Sequence, residues 1–280
     1  MSQRNLQIIV IAVSILLFAF LYFGVRTAPQ NRSDVDKTRA LRAESSTDID
    51  ELILSAKADF TKEQLAPIVE IEANLPLQLT DSLRAESFKI LSKEWNSLNQ
   101  FAIGGIYAQK VAEIFNTEES WSITGTTFGI GQKRATDEEV RKFCVEQAVA
   151  AFNKAIELNP KETQHKINLA LVYVETEQPM QGIGMLRDLN QKEPNNTAVL
   201  LALGQLSVRS GQYDKAIERY QKVVDIEPSN LRAYYAMAQV YESLGKVQDA
   251  IEAYNQCLEL SDDETFKSGI QQNIKKLKSN

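Results

Sequence analysis

The sequence predicts an all-α chain, a solenoid of stacked helical hairpins that follows an N-terminal transmembrane helix and some extra N-terminal helices. Three observations lead there. Pro160, Pro194 and Pro228 stand at a constant spacing of 34 residues, and each closes a similar phrase: AIELNP, LNQKEP and VVDIEP. Small residues recur at fixed places inside each unit. No segment alternates apolar and polar residues for long, so no sheet is expected.

Take Thr163, Thr197 and Leu231 as the first positions of three units. The eighth position then holds Ala170, Gly204 and Ala238, and the twentieth holds Gly182, Ala216 and Ala250. Small side chains at such places let two antiparallel helices approach closely. Gly211 and Gly245 fall between the helices of their units, where a left-handed residue ends the first helix. The blocks GQYDKAIERYQKVVDIEPSN and GKVQDAIEAYNQCLEL resemble tetratricopeptide (TPR) repeats. The resemblance gives units at 163–196, 197–230 and 231–262. It is looser in the first of these, where Glu177 stands in place of the turn glycine. Residues 263–280 read as a polar capping helix, which a terminal repeat needs on its outer face.

An earlier half-unit is visible upstream. Ala148, Phe152, Ala155 and Pro160 match positions 20, 24, 27 and 32, on a helix over about 137–158. The stretch GIGQKRAT at 129–136 reads as non-helical. The expected partner helix is therefore Phe101–Ile114, with Gly104 and Gly105 as the small residues. This places a first TPR-like hairpin at 101–162, interrupted by an insertion at about 117–136. The insertion reads as a shaped surface loop. Its Trp121, Ile123, Phe128 and Ile130 are expected to fold back on the hairpin, with a partner contact through Trp121 and Phe128 as the sharper alternative.

Residues 6–25 form an uncharged apolar run of the length a spanning helix needs. Its exit lacks the small-x-small pattern of a cleaved leader, so a retained signal anchor is expected over 1–25. Residues 26–46 read as a flexible basic neck. Residues 1–42 carry six basic and two acidic side chains, net +4, which leaves −10 for the rest of a chain whose net charge is −6. The Lys and Arg count beside the span points the body to the cytoplasm of a bacterial inner-membrane protein. A periplasmic body is the alternative, because many anchored bacterial TPR proteins resemble this layout.

Residues 47–100 read as an N-terminal helical segment. Ile49, Leu52, Ile53 and Ala56 share one helical face, and Thr61 to Gln64 fits a capping box. Asn74-Leu75-Pro76 ends that helix. The span 82–116 reads as one helix or as two parted near Gly104-Gly105, since each interior glycine costs about 1 kcal/mol.

The chemistry is sparse. His165 is the single histidine and reads as an exposed helix residue; no metal or cofactor site is expected. Cys144 and Cys257 lie on different repeats and read as packing residues rather than a disulfide pair. The glycines at 125, 129 and 131 miss the spacing of a phosphate loop. No catalytic constellation stands out, so an enzyme is not expected. The acidic body disfavours nucleic acid.

The TPR resemblance implies that positions 2, 5, 9, 12 and 13 of each first helix line a binding groove. On this chain that gives Ile167, Leu171 and Val174, then Leu201, Gln205 and Arg209, then Arg232, Tyr235 and Gln239. Tyr235 with Arg232 and Arg209 is the expected anchor, since Tyr and Arg are enriched at interface hot spots. The expected function is a membrane-tethered scaffold that grips a protein partner, in envelope translocation, quality control or assembly. The alternatives are a structural subunit of a membrane complex, or an enzyme with its site in the N-terminal helical segment.

Overall fold

The computed structural model describes residues 48–77 and 80–279, and among these it shows thirteen α-helices and no strand. The apolar run at 6–25 and the neck lie outside the described residues. Among the described residues no helix is long and apolar enough to cross a membrane.

Two short helices come first, α1 (Ile49–Ala58) and α2 (Lys62–Asn74). The Asp48 carboxylate accepts the backbone N–H groups of Asp50 and Glu51 at the start of α1. Thr61 and Gln64 form a reciprocal capping box at the start of α2. Ala56 and Ile68 from this pair pack on Leu91 and Trp95, which puts the first core cluster against the next hairpin.

That hairpin is α3 (Asp81–Ser97) and α4 (Phe101–Phe115). The span is thus two helices, and the break falls at 98–100 rather than at Gly104-Gly105. Asn99 takes the left-handed conformation, φ 61°, that ends α3. The glycines sit inside α4 because its neighbours come too close for a side chain. A Cβ on Gly104 would lie 2.0 Å from Asn96 Oδ1 and 3.1 Å from the Ser92 carbonyl oxygen. The boundary expected at residue 100 therefore falls within a hairpin, not between two domains.

The largest departure follows. Residues Glu118–Arg134 form helix α5, not a loop, and α5 is the partner of α6 (Glu138–Leu158). A capping box of Thr117 and Ser120 starts α5, and two glutamates occupy its first turn. Its glycines lower local propensity, but packing decides the outcome. A Cβ on Gly125 would meet the Phe152 ring at 2.9 Å, just as one on Gly204 would meet the Tyr220 ring at 2.4 Å. Gly125 and Phe152 are 27 positions apart, whereas Gly204 and Tyr220 are 16 apart. The 11 extra residues are close to three helical turns at about 3.6 residues per turn, so the lengthened hairpin keeps its phase.

Three regular hairpins and a cap complete the stack: α7 (Thr163–Val174) with α8 (Pro179–Lys192), α9 (Thr197–Arg209) with α10 (Tyr213–Ile226), and α11 (Leu231–Ser243) with α12 (Val247–Leu260). Helix α13 (Glu264–Ser279) buries Ile270 and Ile274 and is capped by Asp263. The Glu193 carboxylate accepts Thr163 Oγ1 at 2.7 Å and Asn196 Nδ2 at 2.7 Å. Glu227 does the same with Thr197 at 2.6 Å and Asn230 at 2.7 Å. One acidic side chain thus ties the start of its own unit to the N-cap of the next.

His165 is buried, not exposed: it sits 6 % accessible at a position where the later units bury Val199 and Ala233. Cys144 and Cys257 are free thiols, both wholly inside the core.

Candidate partner-binding groove

The first helices α3, α5, α7, α9 and α11 follow one another along one side of the stack, and clefts open between them. The cleft between α9 and α11 has a volume of about 360 Å³ and closes on Tyr220 of α10. The one between α5 and α7 holds about 140 Å³ over Phe152. The one between α3 and α5 is the largest, about 550 Å³, with Ala108, Val111 and Phe115 of α4 behind it. Each is the same construction, two first helices with an apolar ring or side chain of a second helix between them.

Six of the expected groove residues meet in the α9–α11 cleft: Leu201, Gln205, Arg209, Arg232, Tyr235 and Gln239. Their roles differ from the expectation. Tyr235 is half-buried, with its ring 6.1 Å from Tyr254 and 5.7 Å from Phe266, so it is part of the wall. Arg209 is taken up by Glu175 through two bonds, Nη1 to Oε1 at 2.5 Å and Nη2 to Oε2 at 3.1 Å. Lys133 lies 4.0 Å from the same carboxylate, so Glu175 links three successive first helices. Gln205, Arg232 and Gln239 are exposed polar groups at this cleft, as is Ser243, and Arg232 has no carboxylate within 4.0 Å among the described residues. Burial pushes the Tyr220 hydroxyl up to about 12, so it stays uncharged.

The earlier residues part company. Leu171 lines the α5–α7 cleft. Ile167 is 2 % accessible and packs with Leu186, Leu189 and Val199 in the core. Val174 is also buried, and it touches a separate cleft toward α8. Helix α7 is covered by α8 on one side and by the lengthened α5–α6 hairpin on the other, which leaves it little free surface. Phe128 is fully buried, edge-on to Phe143 at 5.7 Å and 85°, and cannot be a contact residue. Trp121 is half-buried and donates its Nε1–H to Asn116 Oδ1 at 2.9 Å.

Sequence reasoning missed the α3–α5 cleft because it missed the α3–α4 hairpin. The signal was present. Ser92 and Gly104 are 12 positions apart, as are Ala170 and Gly182, and a Cβ on Gly182 would meet the Ala170 carbonyl at 2.1 Å. Asn99 fills the turn place held later by Gly211 and Gly245, which carry φ 72° and 68°.

Comparison with known proteins agrees with this construction. Residues 140–226 match the family model of the cytochrome c-type biogenesis protein H TPR domain, and residues 201–264 match a tetratricopeptide repeat model. The BBSome complex member bbs-4 of Caenorhabditis elegans is 27% identical over 79 residues, 28% of this chain and 17% of that protein. The chain thus matches less than a fifth of that curated relative's length. A tetratricopeptide repeat protein of Parabacteroides merdae shares the fold, with a TM-score of 0.51 at 14% identity over 84% of this chain and 88% of that one. A thermophilic TPR protein of Thermus thermophilus gives a TM-score of 0.49 at 15% identity, covering 70% of this chain and 100% of that one. Residues 140–264 are thus matched by tetratricopeptide repeat models, and the described residues form an all-helical solenoid.

Proposed function

We propose that this chain is a membrane-tethered scaffold whose first-helix face holds a segment of a partner polypeptide. The observation that carries the reading is the repeated cleft. The same apolar-backed slot recurs between successive first helices, and at the α9–α11 cleft exposed Gln205, Gln239 and Arg232 stand around it. Apolar depth with a few exposed polar groups suits a peptide that offers apolar side chains and a backbone to hydrogen-bond. The tether is the apolar run at 6–25, which would raise the effective concentration of the groove near a membrane partner. The match of residues 140–226 to a cytochrome c-type biogenesis protein domain supports a duty in envelope protein assembly.

The reading is a binder rather than a catalyst, since the single histidine is packed inside the stack and the two thiols are buried. The basic neck favours a cytoplasmic body. Protease added to intact spheroplasts should leave the body whole; its degradation would place the repeats on the periplasmic side.

The groove is tested with a photoreactive side chain at Gln205 or Gln239 in the full chain, and at Asn255 of α12 as the control. Discrete adducts are expected from the first two sites and not from the third. They should disappear with Arg232→Glu while helicity and melting stay at the wild-type level. Equal adducts from Asn255 would remove the groove from the account.

A further inference from the structure

Another cleft opens between the α7–α8 and α9–α10 hairpins, and its character is different. It has a volume of about 480 Å³ and gathers Arg187 of α8 with Lys215 and Arg219 of α10. Pro179, Met180 and Ile183 form an apolar wall beside them, and Met180 is 64 % accessible. The body as a whole is acidic, yet none of these three cations has a carboxylate within 4.0 Å among the described residues. Lys215 Nζ donates to Gln212 Oε1 at 2.8 Å instead.

Arg219 is the built part of the cleft. It is half-buried, and its Nη1 donates to the Leu203 carbonyl oxygen at 3.2 Å and to Ser207 Oγ. Both acceptors belong to α9, so the guanidinium plane is fixed. Those bonds occupy one nitrogen of a fork that can grip a carboxylate with two others. Burial lowers the Arg219 pKa, Glu218 opposes that, and the positive charge of Arg187 lowers it further. Two arginines without a carboxylate, Arg187 and Arg219, therefore face one cleft beside Arg209, which Glu175 already pairs; a bound anion relieves the excess positive charge.

We propose that the α8–α10 cleft binds an acidic peptide segment, with one carboxylate on Arg219, Arg187 and Lys215 and a neighbouring apolar side chain against Met180 and Ile183. The segment belongs to a partner; its cleft shares Arg209 with the α9–α11 slot, but Arg187, Lys215 and Arg219 line this cleft and not that slot. Substitutions at Arg187 and Lys215 therefore test this cleft without touching a residue of that slot.

The probe is a fluorescent peptide that alternates glutamate with leucine, titrated by polarisation into the full chain in detergent. Its glutamine–leucine counterpart and inorganic phosphate serve as the other arms. Saturable binding of the glutamate peptide is expected, weakened at least 10-fold by Arg187→Glu with Lys215→Glu and by raised salt. Both substituted side chains are exposed, so the fold should be kept. Arg232→Glu, in the other site, should leave this binding unchanged. Equal binding of the glutamine peptide overturns the proposal, as does indifference to the double charge reversal. Absence of saturable binding by either peptide overturns it as well.

Discussion

The hairpins at 81–158 and those at 163–260 solve one packing problem with different sequences. In the later region each first helix meets its partner through a small residue, and the repeat length is constant. In the earlier region the contacts persist while the length does not. Gly125 lies against Phe152 as Gly204 lies against Tyr220, although the separation along the chain grows from 16 to 27. What is shared between the two regions is a contact and its helical phase, not a count of residues. A hairpin can lengthen by whole turns and still stack on its neighbours.

The largest test of that comparison is Phe128→Ala. If α5 is a true first helix, this ring is core, and its loss should cost about 3–5 kcal/mol. Thermal unfolding followed by the fluorescence of Trp95 and Trp121, both in the earlier region, reads it directly. A loss below about 1 kcal/mol would return 117–136 to the status of a peripheral insertion.

A sharper comparison sets Gly182→Ala against Gly104→Ala. Both glycines face the first helix of their own hairpin at the same spacing. At Gly182 the new methyl meets a backbone oxygen at 2.1 Å, which cannot step aside. At Gly104 it meets first the Asn96 side chain, which can rotate. Overpacking should cost about 2–3 kcal/mol at Gly182 and about 1 kcal/mol at Gly104. Reversed magnitudes in urea unfolding would show that the two hairpins are not built alike.

The smallest effect concerns acid. Glu193 and Glu227 are held below the ordinary 4.5, first by Thr163 and Thr197 and then by Asn196 and Asn230. Their folded value lies below the unfolded one. The stability they add is therefore complete above about 4.5 and is lost as pH falls through the folded value. Glu193→Gln with Glu227→Gln should lower the neutral-pH unfolding free energy by about 1 kcal/mol. It should also narrow the gap between pH 7 and pH 3.5. Tyrosine signals from the later region should show this before the tryptophans do; simultaneous change would spread the pins' effect over the whole stack.

The later region was legible because each of its positions has one job, and the job selects the residue type. Pro194, Pro228, Gly211 and Gly245 state the frame almost alone. The earlier region hid because its substitutes are also lawful: Asn99 reaches the left-handed turn without being glycine, and Ser92 is small without being alanine. The 11 added residues then moved every position before them out of frame. Exposure at the expected groove positions was half legible. Position numbers placed Gln205, Arg232 and Gln239 on the surface correctly, but they could not foresee that α8 and α9 would cover Ile167 and that α8 would close on Val174. Nor could they show that Glu175, one repeat earlier, would occupy Arg209. His165 was misjudged for the same reason, because burial at a unit's third position is set by the preceding hairpin.

The two cysteines make the regions separately observable in time. Burial pushes the Cys144 thiol up to about 12 and the Cys257 thiol up to about 11, and no disulfide joins them. At neutral pH neither thiol offers an alkylating reagent a reactive anion until its own hairpin opens. The rate at which each is modified is thus a clock for the breathing of one region, and the native chain carries one such clock in each.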